Sequence, residues 1–163
     1  MLVAAIQNIA GFTPSNLELY RLATVHSSIA KENGSGYKES NERLEYLGDA
    51  ILGAAVADYL FKRYPFKDEG FLTEIRSRIV NRESLNHLAR KVGVAAIVQF
   101  DHKNAQLHQV ILGNALEALV GAIYLDKGIE TCQKFIQKNI LEPALKNGEH
   151  LIDENYKSQL LEY

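Results

Sequence analysis

The sequence predicts an all-α fold, and three observations lead to that prediction. Apolar residues recur at helical spacing through two long stretches, Asn41 to Leu60 and Leu107 to Leu125. Helix start and stop signals punctuate much of the remaining chain. No stretch alternates apolar and polar residues as a half-buried strand does. With 163 residues, 47% of them hydrophobic, the chain suits one domain with a substantial core, and we assign residues 1–163 to it.

The first half of the chain divides at clear signals. We expect a short amphipathic helix over Val3 to Ile9, ending at Gly11. Thr13-Pro14 is a helix start signal because proline fits the first helical position, and the next helix should run from about Asn16 to Val25. Lys31 to Lys38 reads as a loop. The central helix follows, capped by Ser40 or Asn41, and ends before Pro65.

The second half is predicted to continue as helices. Phe71 to Val80 and Arg82 to Val92 form two of them, with Asn81 breaking and recapping the chain between them and Gly93 stopping the second. Val94 to His108 is compatible with a short helix or an extended piece. The second long helix should end near residues 126–128. An amphipathic helix over 129–145, interrupted near Pro143, and a polar helix over 153–163 complete the chain.

The central helix carries acidic residues in an unusual setting. Glu42, Glu45 and Asp49 fall within a narrow arc of one face, and the last two lie one turn apart. Apolar residues occupy nearly all other positions, which predicts a buried helix. Buried carboxylates are costly unless a cation compensates them. Internal salt bridges from Arg43, Arg76 or Arg78 and a bound metal ion explain this pattern equally well.

The second long helix shows the same combination. From Val110 onward its strongly polar side chains are Asn114 and Glu117, three residues apart and therefore on one face. Two buried helices that present oxygen ligands at helical spacing indicate one shared cation site. Oxygen-only donors that include carboxylates favour hard cations, so Mg²⁺ is the expected ion and Mn²⁺ could replace it.

Composition narrows the setting and the partners. The net charge of −2 gives no global basic field, although a local basic patch remains possible, with Arg76, Arg78, Arg82, Lys31 and Lys38 as candidates. A single cysteine, Cys132, excludes an internal disulfide and a cysteine zinc site. The chain shows neither a membrane-spanning run nor a signal peptide. We therefore expect a cytoplasmic protein without a membrane partner.

Several stretches together resemble the ribonuclease III family. The most specific is Asn-Glu-Arg-Leu-Glu-Tyr-Leu-Gly-Asp-Ala-Ile-Leu at 41–52, which is similar to the family signature. The other matching stretches are Leu22 to Ser28, Asp68 to Thr73, Val80 to Leu85 and Leu116 to Asp126. The resemblance covers nearly the whole chain and implies the family's helical endonuclease-domain fold.

The resemblance also implies an activity and roles for individual residues. The implied reaction is metal-dependent hydrolysis of double-stranded RNA by a homodimer, which leaves 5′-phosphate and 3′-hydroxyl ends during ribosomal and messenger RNA processing, without a small-molecule cofactor. The implied catalytic and metal-binding residues are Glu45, Asp49 and Glu117, with Asn114 as a further metal ligand, Glu42 and Glu69 as auxiliary acidic residues, and Tyr46 as the residue that plugs into the partner subunit. Ordinary core packing is the alternative for Tyr46.

The chain departs from the family pattern in two places. Asn114 stands where the family usually has aspartate, so the site should hold cations more weakly. The family often continues into a double-stranded-RNA-binding domain, and residues 153–163 resemble the start of a linker toward it. Three functions therefore remain open from the sequence: an active endonuclease, a weakened or silent relative that only binds RNA, and a helical interaction domain without an RNA partner.

Overall fold

The computed structural model describes residues 1–103 and 105–146, and these residues are predominantly helical. The α-helices are α1 (Leu2–Ala10), α2 (Leu17–Ala23), α3 (Glu42–Arg63), α4 (Glu69–Val80), α5 (Arg82–Val92), α6 (Ile111–Lys127) and α7 (Ile129–Ile136). Short 3₁₀ turns cover Ser27–Ile29, Val94–Ala96 and Ala105–Gln109. Within the described ranges the only β pairing is two isolated bridges, so the all-α prediction is confirmed. The polar helix predicted over 153–163 lies outside the described residues.

Helix α6 is the centre of the fold. Its residues from Ile111 to Ile123 are buried except Asn114, as the sequence predicted for this helix. Helix α3 lies directly against α6 because glycines allow the two backbones to meet. A Cβ atom at Gly48 would overlap the carbonyl oxygen of Glu117, and one at Gly121 would overlap that of Leu44. This close approach fixes the acidic first half of α3 beside the acidic turn of α6.

The prediction that α3 is buried nearly all round is wrong for this chain. One face packs into the core through Leu44, Leu52, Val56 and Leu60. The opposite face is open, and Tyr46 and Phe61 are 83% and 71% exposed. The prediction counted the alanines of this helix as core residues, but alanine is compatible with both a buried and a solvent-exposed position. The exposed face is a continuous apolar stripe, formed by Tyr46, Ala50, Ala54, Ala57 and Phe61.

Most predicted helix boundaries agree with local capping. Asp68 accepts a hydrogen bond from the Phe71 backbone N–H (2.9 Å), so α4 begins at Glu69, two residues before the predicted start at Phe71. Asn81 accepts one from Ser84 (2.8 Å) and begins α5, which ends at Gly93 with φ of 105°. The interruption near Pro143 is a π-helical turn over Gln137–Leu141. Proline cannot donate the helical hydrogen bond to the carbonyl four residues earlier, which accounts for the altered winding.

Helix α2 begins within one residue of the predicted start near Asn16 and ends at Ala23, two residues before the predicted end. The carboxylate of Asp126, at the end of α6, accepts hydrogen bonds from the Ser15 and Asn16 backbone N–H groups and from Tyr20 Oη. This long-range cap holds the entry to α2 and places its first helical residue at Leu17. Among the described residues, no helix has the length and apolar character needed to cross a membrane.

Candidate active site

The acidic residues of α3 and α6 meet in one cavity of about 590 Å³. Glu42, Glu45 and Asp49 enter it from α3, and Asn114 and Glu117 enter it from α6. Helical spacing places each set on one face of its helix, and the glycine contact between the helices turns the two faces toward each other. The structure therefore brings together the residues that the sequence assigned to a shared cation site.

Burial differs sharply among these carboxylates. Glu117 is only 8% exposed, Glu45 is half-buried, and Glu42 and Asp49 are exposed. Burial raises the pKa of Glu117 to about 8, and a side-chain hydrogen bond to Asp49 and the negative charges of Asp49 and Glu45 add to the effect. Without a bound cation, a pKa raised this far favours the protonated form of Glu117 near neutral pH.

Glu45 experiences the same crowding in a milder form. Burial raises its pKa, and the charges of Glu42 and Asp49 raise it further, while Arg82 across the cavity opposes the shift. Arg82 makes no ion pair with any residue in the described part of the chain. The carboxylates are therefore crowded together with little positive charge to compensate them.

The salt-bridge explanation for the carboxylates does not fit these contacts. Arg78 pairs with Glu74 at 2.6 Å, within its own helix. The Arg76 guanidinium lies over Gly53, beside the middle of α3. Arg43 is exposed and takes part in no ion pair with another described residue. None of the arginines proposed as partners therefore neutralises the acidic cavity.

The donor set suits a hard divalent cation. It offers carboxylate and amide oxygens, with no sulfur among the lining residues. In the described ranges, no three His, Cys, Asp or Glu side chains stand in a ready-made coordination arrangement. A divalent cation would relieve the mutual repulsion of these carboxylates, which adds to burial in raising the pKa of Glu45 and of Glu117, so the residues fit such an ion.

The other predicted residues lie at different distances from this cavity. Tyr46 lines its rim and points largely into solvent, so the core-packing alternative for Tyr46 is wrong. Glu69 is exposed in the first turn of α4 and is not among the residues that line the cavity. His26 and Ser27 line it, although the sequence argument assigned neither residue a role. The available signal was the stretch Leu22 to Ser28, which contributed to the family resemblance.

Comparison with known proteins agrees with this arrangement. A family described as Ribonuclease-III-like matches residues 16–144. The protein named Ribonuclease 3 from Bacteroides fragilis is 43% identical over 156 residues, which cover 95% of this chain and 54% of that protein. Ribonuclease 3 from Azobacteroides pseudotrichonymphae is 41% identical over 98% of this chain and 61% of its own length. The chain thus spans roughly half to three-fifths of these relatives.

Solved structures give the same result for the fold. The nuclease domain of ribonuclease III from Campylobacter jejuni superposes with a TM-score of 0.74 and 29% identity, covering 89% of this chain and 95% of that domain. A second structure of that domain gives a TM-score of 0.73 with 30% identity, over 84% of this chain and 97% of that domain. The matched family region contains α2 through α7 and the whole acidic cavity, and the chain belongs to the ribonuclease-III-like family.

Proposed function

We propose that this chain is an endonuclease that hydrolyses phosphodiester bonds of double-stranded RNA with a divalent metal ion, Mg²⁺ or Mn²⁺. The observation that carries the proposal is the convergence of Glu45, Asp49 and Glu117 from two helices in one cavity. The names of the relatives support the reaction class. The products would be 5′-phosphate and 3′-hydroxyl ends, and the substrates would be ribosomal and messenger RNA precursors in the cytoplasm.

Each acidic residue has a distinct part in this proposal. Glu45, Asp49 and Glu117 hold the ion, and the amide oxygen of Asn114 completes the donor set. When bound, the ion neutralises charge that develops on the phosphate and acidifies a water molecule for attack. Glu117 would bind the ion as a carboxylate, so metal binding would be accompanied by loss of its proton to solvent. Glu42 lies at the cavity edge and orients water there.

Asn114 gives the second candidate function its basis. An amide oxygen carries no net charge, so the cavity attracts cations less strongly than it would with aspartate at this position. If cation binding were weakened enough, the chain would bind duplex RNA and cleave it slowly or not at all. The retained carboxylates Glu45, Asp49 and Glu117 favour the active enzyme over this silent relative.

The exposed stripe of α3 supports a homodimer. Tyr46 is 83% exposed at one end of the stripe and Phe61 is 71% exposed at the other. Beside Tyr46 lies a cavity of about 770 Å³ whose lining includes Leu19, Leu22 and Leu125. Exposed contiguous apolar surface marks interaction sites. One relative's structure concerns a region involved in dimer formation of its nuclease domain. Two copies would bury this stripe, with Tyr46 entering the partner's cavity.

A cleavage assay separates these functions. End-labelled duplex RNA is incubated with the chain in Mg²⁺ and in chelator, beside a single strand of the same sequence. Metal-dependent cutting of the duplex supports the enzyme, and a mobility shift without cutting supports the silent relative. If neither cutting nor a shift is observed, the chain is an interaction domain without an RNA partner. Glu117→Gln should abolish cutting, whereas Glu130→Gln, an exposed change in the first turn of α7, should leave it intact.

A further inference from the structure

A second polar cavity adjoins the acidic one. It measures about 660 Å³ and shares His26, Ser27 and Glu42 with the acidic cavity. Its lining also includes Lys38 and Arg43, which do not line the acidic cavity. The two cavities therefore form one groove that leads from the carboxylates past His26 to positive charge. An extended polyanion could follow this groove with one phosphate at the acidic end and the next near Lys38.

The His26 ring is held in one orientation by its Nδ1 atom. The Ser28 backbone N–H donates to Nδ1 at 3.0 Å, and Ser28 Oγ lies 2.8 Å from the same atom. Because Nδ1 accepts a hydrogen bond, the neutral ring carries its proton on Nε2. Nε2 makes no hydrogen bond within the described part of the chain. His26 thus presents an unused donor where the cavities meet.

The backbone around His26 is fixed from both sides. Its own N–H donates to the Gln99 carbonyl at 2.9 Å, and the Asp101 N–H donates to Ser28 Oγ at 2.9 Å. At the start of α3, the Asn41 N–H donates to the Val25 carbonyl at 2.8 Å. The imidazole is therefore positioned relative to the acidic turn of α3 before any ligand binds, as a binding group should be.

A capping role explains only half of this arrangement. His26 is the residue before the 3₁₀ turn Ser27–Ile29, and its Nδ1 caps that turn. Asparagine, serine or aspartate would cap equally well. None of them would place a second donor in the groove. Lys38 is exposed and has no ion-pair partner among the described residues, so its ammonium group is available to an anion.

We propose that His26 Nε2–H and Lys38 Nζ bind the phosphodiester next to the one that is cleaved. This subsite rests on the proposed function, because it takes its ligand from the same duplex RNA. The imidazole donates to a non-bridging phosphate oxygen, and the ammonium group supplies the positive charge. Glu42, which lines both cavities, separates this phosphate from the acidic end of the groove.

A pair of substitutions at His26 separates binding from structure. His26→Asn keeps an acceptor at the Nδ1 position, and therefore the cap, but removes the Nε2 donor. His26→Gln reaches the Nε2 position with an amide N–H but gives up the cap. Loss of a hydrogen bond to a charged group should weaken duplex binding by about 10-fold in His26→Asn, against less than ~3-fold in His26→Gln. A purely structural His26 would give the reverse order.

Lys38 has a control of the same residue type on α7. Lys38→Gln should weaken duplex binding by about 5-fold at low salt and lower the slope of log affinity against log salt by about one. Lys134→Gln should change neither quantity, because Lys134 is exposed in the last turn of α7 and lines neither cavity. Equal effects of the two substitutions would overturn the assignment of Lys38.

The decisive experiment changes the RNA. Fluorescence anisotropy in chelator measures the binding of duplexes that each carry one neutral methylphosphonate, placed at successive positions around the cleavage point. A methylphosphonate next to the cleaved bond should weaken duplex binding to the unmodified chain by about 10-fold. The double variant His26→Asn with Lys38→Gln should bind this duplex and the unmodified duplex equally well. Unchanged sensitivity would overturn the subsite. If the chain cleaves duplex RNA but its binding does not depend on the methylphosphonate position, the subsite is refuted and the proposed enzyme is not. If binding depends on that position but Mg²⁺ supports no cleavage, the proposed enzyme is refuted and the subsite is not.

Discussion

Replacing Glu117 with glutamine should make the metal-free protein more stable, and the gain should depend on pH. Burial and the neighbouring Asp49 raise the pKa of Glu117 from 4.5 to about 8. In the unfolded chain the carboxyl group loses its proton near pH 4.5, whereas in the folded chain it keeps it until about pH 8. The folded state therefore binds more protons between these values, and the free energy of unfolding falls as pH rises through them.

The size of the effect follows from the shift. The difference between 8 and 4.5 is about 3.5 pH units, and at about 1.36 kcal/mol per unit the maximum cost is near 5 kcal/mol. By proton linkage, Glu117 lowers the free energy of unfolding by less than ~1 kcal/mol at pH 5 and by about 3 kcal/mol at pH 7, and the effect reaches its maximum above pH 8. Glutamine has a similar shape and still donates to Asp49, so Glu117→Gln should recover most of this free energy.

Urea unfolding in chelator from pH 5 to pH 9 measures the prediction directly. The stability difference between Glu117→Gln and the unmodified chain should widen across this range. Glu130→Gln provides the control, because Glu130 is exposed in the first turn of α7. Saturating Mg²⁺ should narrow the difference, since the ion stabilises only the chain with the complete carboxylate set. Parallel curves for Glu117→Gln and the unmodified chain would refute the electrostatic argument.

Four further substitutions test the metal site, the packing of α3 on α6, the dimer contact and the cap of α2. Asn114→Asp should tighten Mg²⁺ binding and raise the cleavage rate at low Mg²⁺; equal rates and equal metal dependence would count against the weak-site argument. Gly48→Ala forces a Cβ into the α6 backbone and should cost about 3 kcal/mol or more in urea unfolding, whereas Gly34→Ala, with open space around it, should cost little. Tyr46→Ala should shift sedimentation from dimer toward monomer, and an unchanged dimer would remove Tyr46 from the interface. Asp126→Ala should lose about 2 kcal/mol at pH 7; because hydrogen bonds outweigh burial and lower the pKa of Asp126, this loss should shrink as pH falls below 3.8.

The sequence predicted those parts of the fold that local chemistry determines. Asn81 and Gly93 begin or end helices through contacts within a few residues, so these boundaries could be predicted from the chain itself. The contact that holds the start of α2 could not be predicted in this way, because Asp126 lies 110 residues away from Asn16 along the chain. The open face of α3 was missed for a related reason. Burial of an apolar helix depends on what covers it, and the spacing of residues does not contain that information.

The candidate site divides in the same way. Helical spacing was sufficient to place Glu45 beside Asp49 and Asn114 beside Glu117, and the apolar surroundings of both helices indicated that the two pairs share one cation site. The unequal burial of these carboxylates, and therefore the raised pKa of Glu117, follows from how closely α3 and α6 pack at Gly48. His26 reaches the site through backbone contacts with residues far along the chain, so its spacing within the sequence carried no signal.

Crystals soaked in Mn²⁺ and measured at the manganese absorption edge would show whether α3 and α6 bind a divalent ion between them. We expect an anomalous peak between the two helices, with oxygens of Glu45, Asp49 and Glu117 at about 2.2 Å and the hydrogen bond between Asp49 and Glu117 broken. A map at saturating Mn²⁺ with that hydrogen bond intact and no peak between α3 and α6 would contradict this expectation.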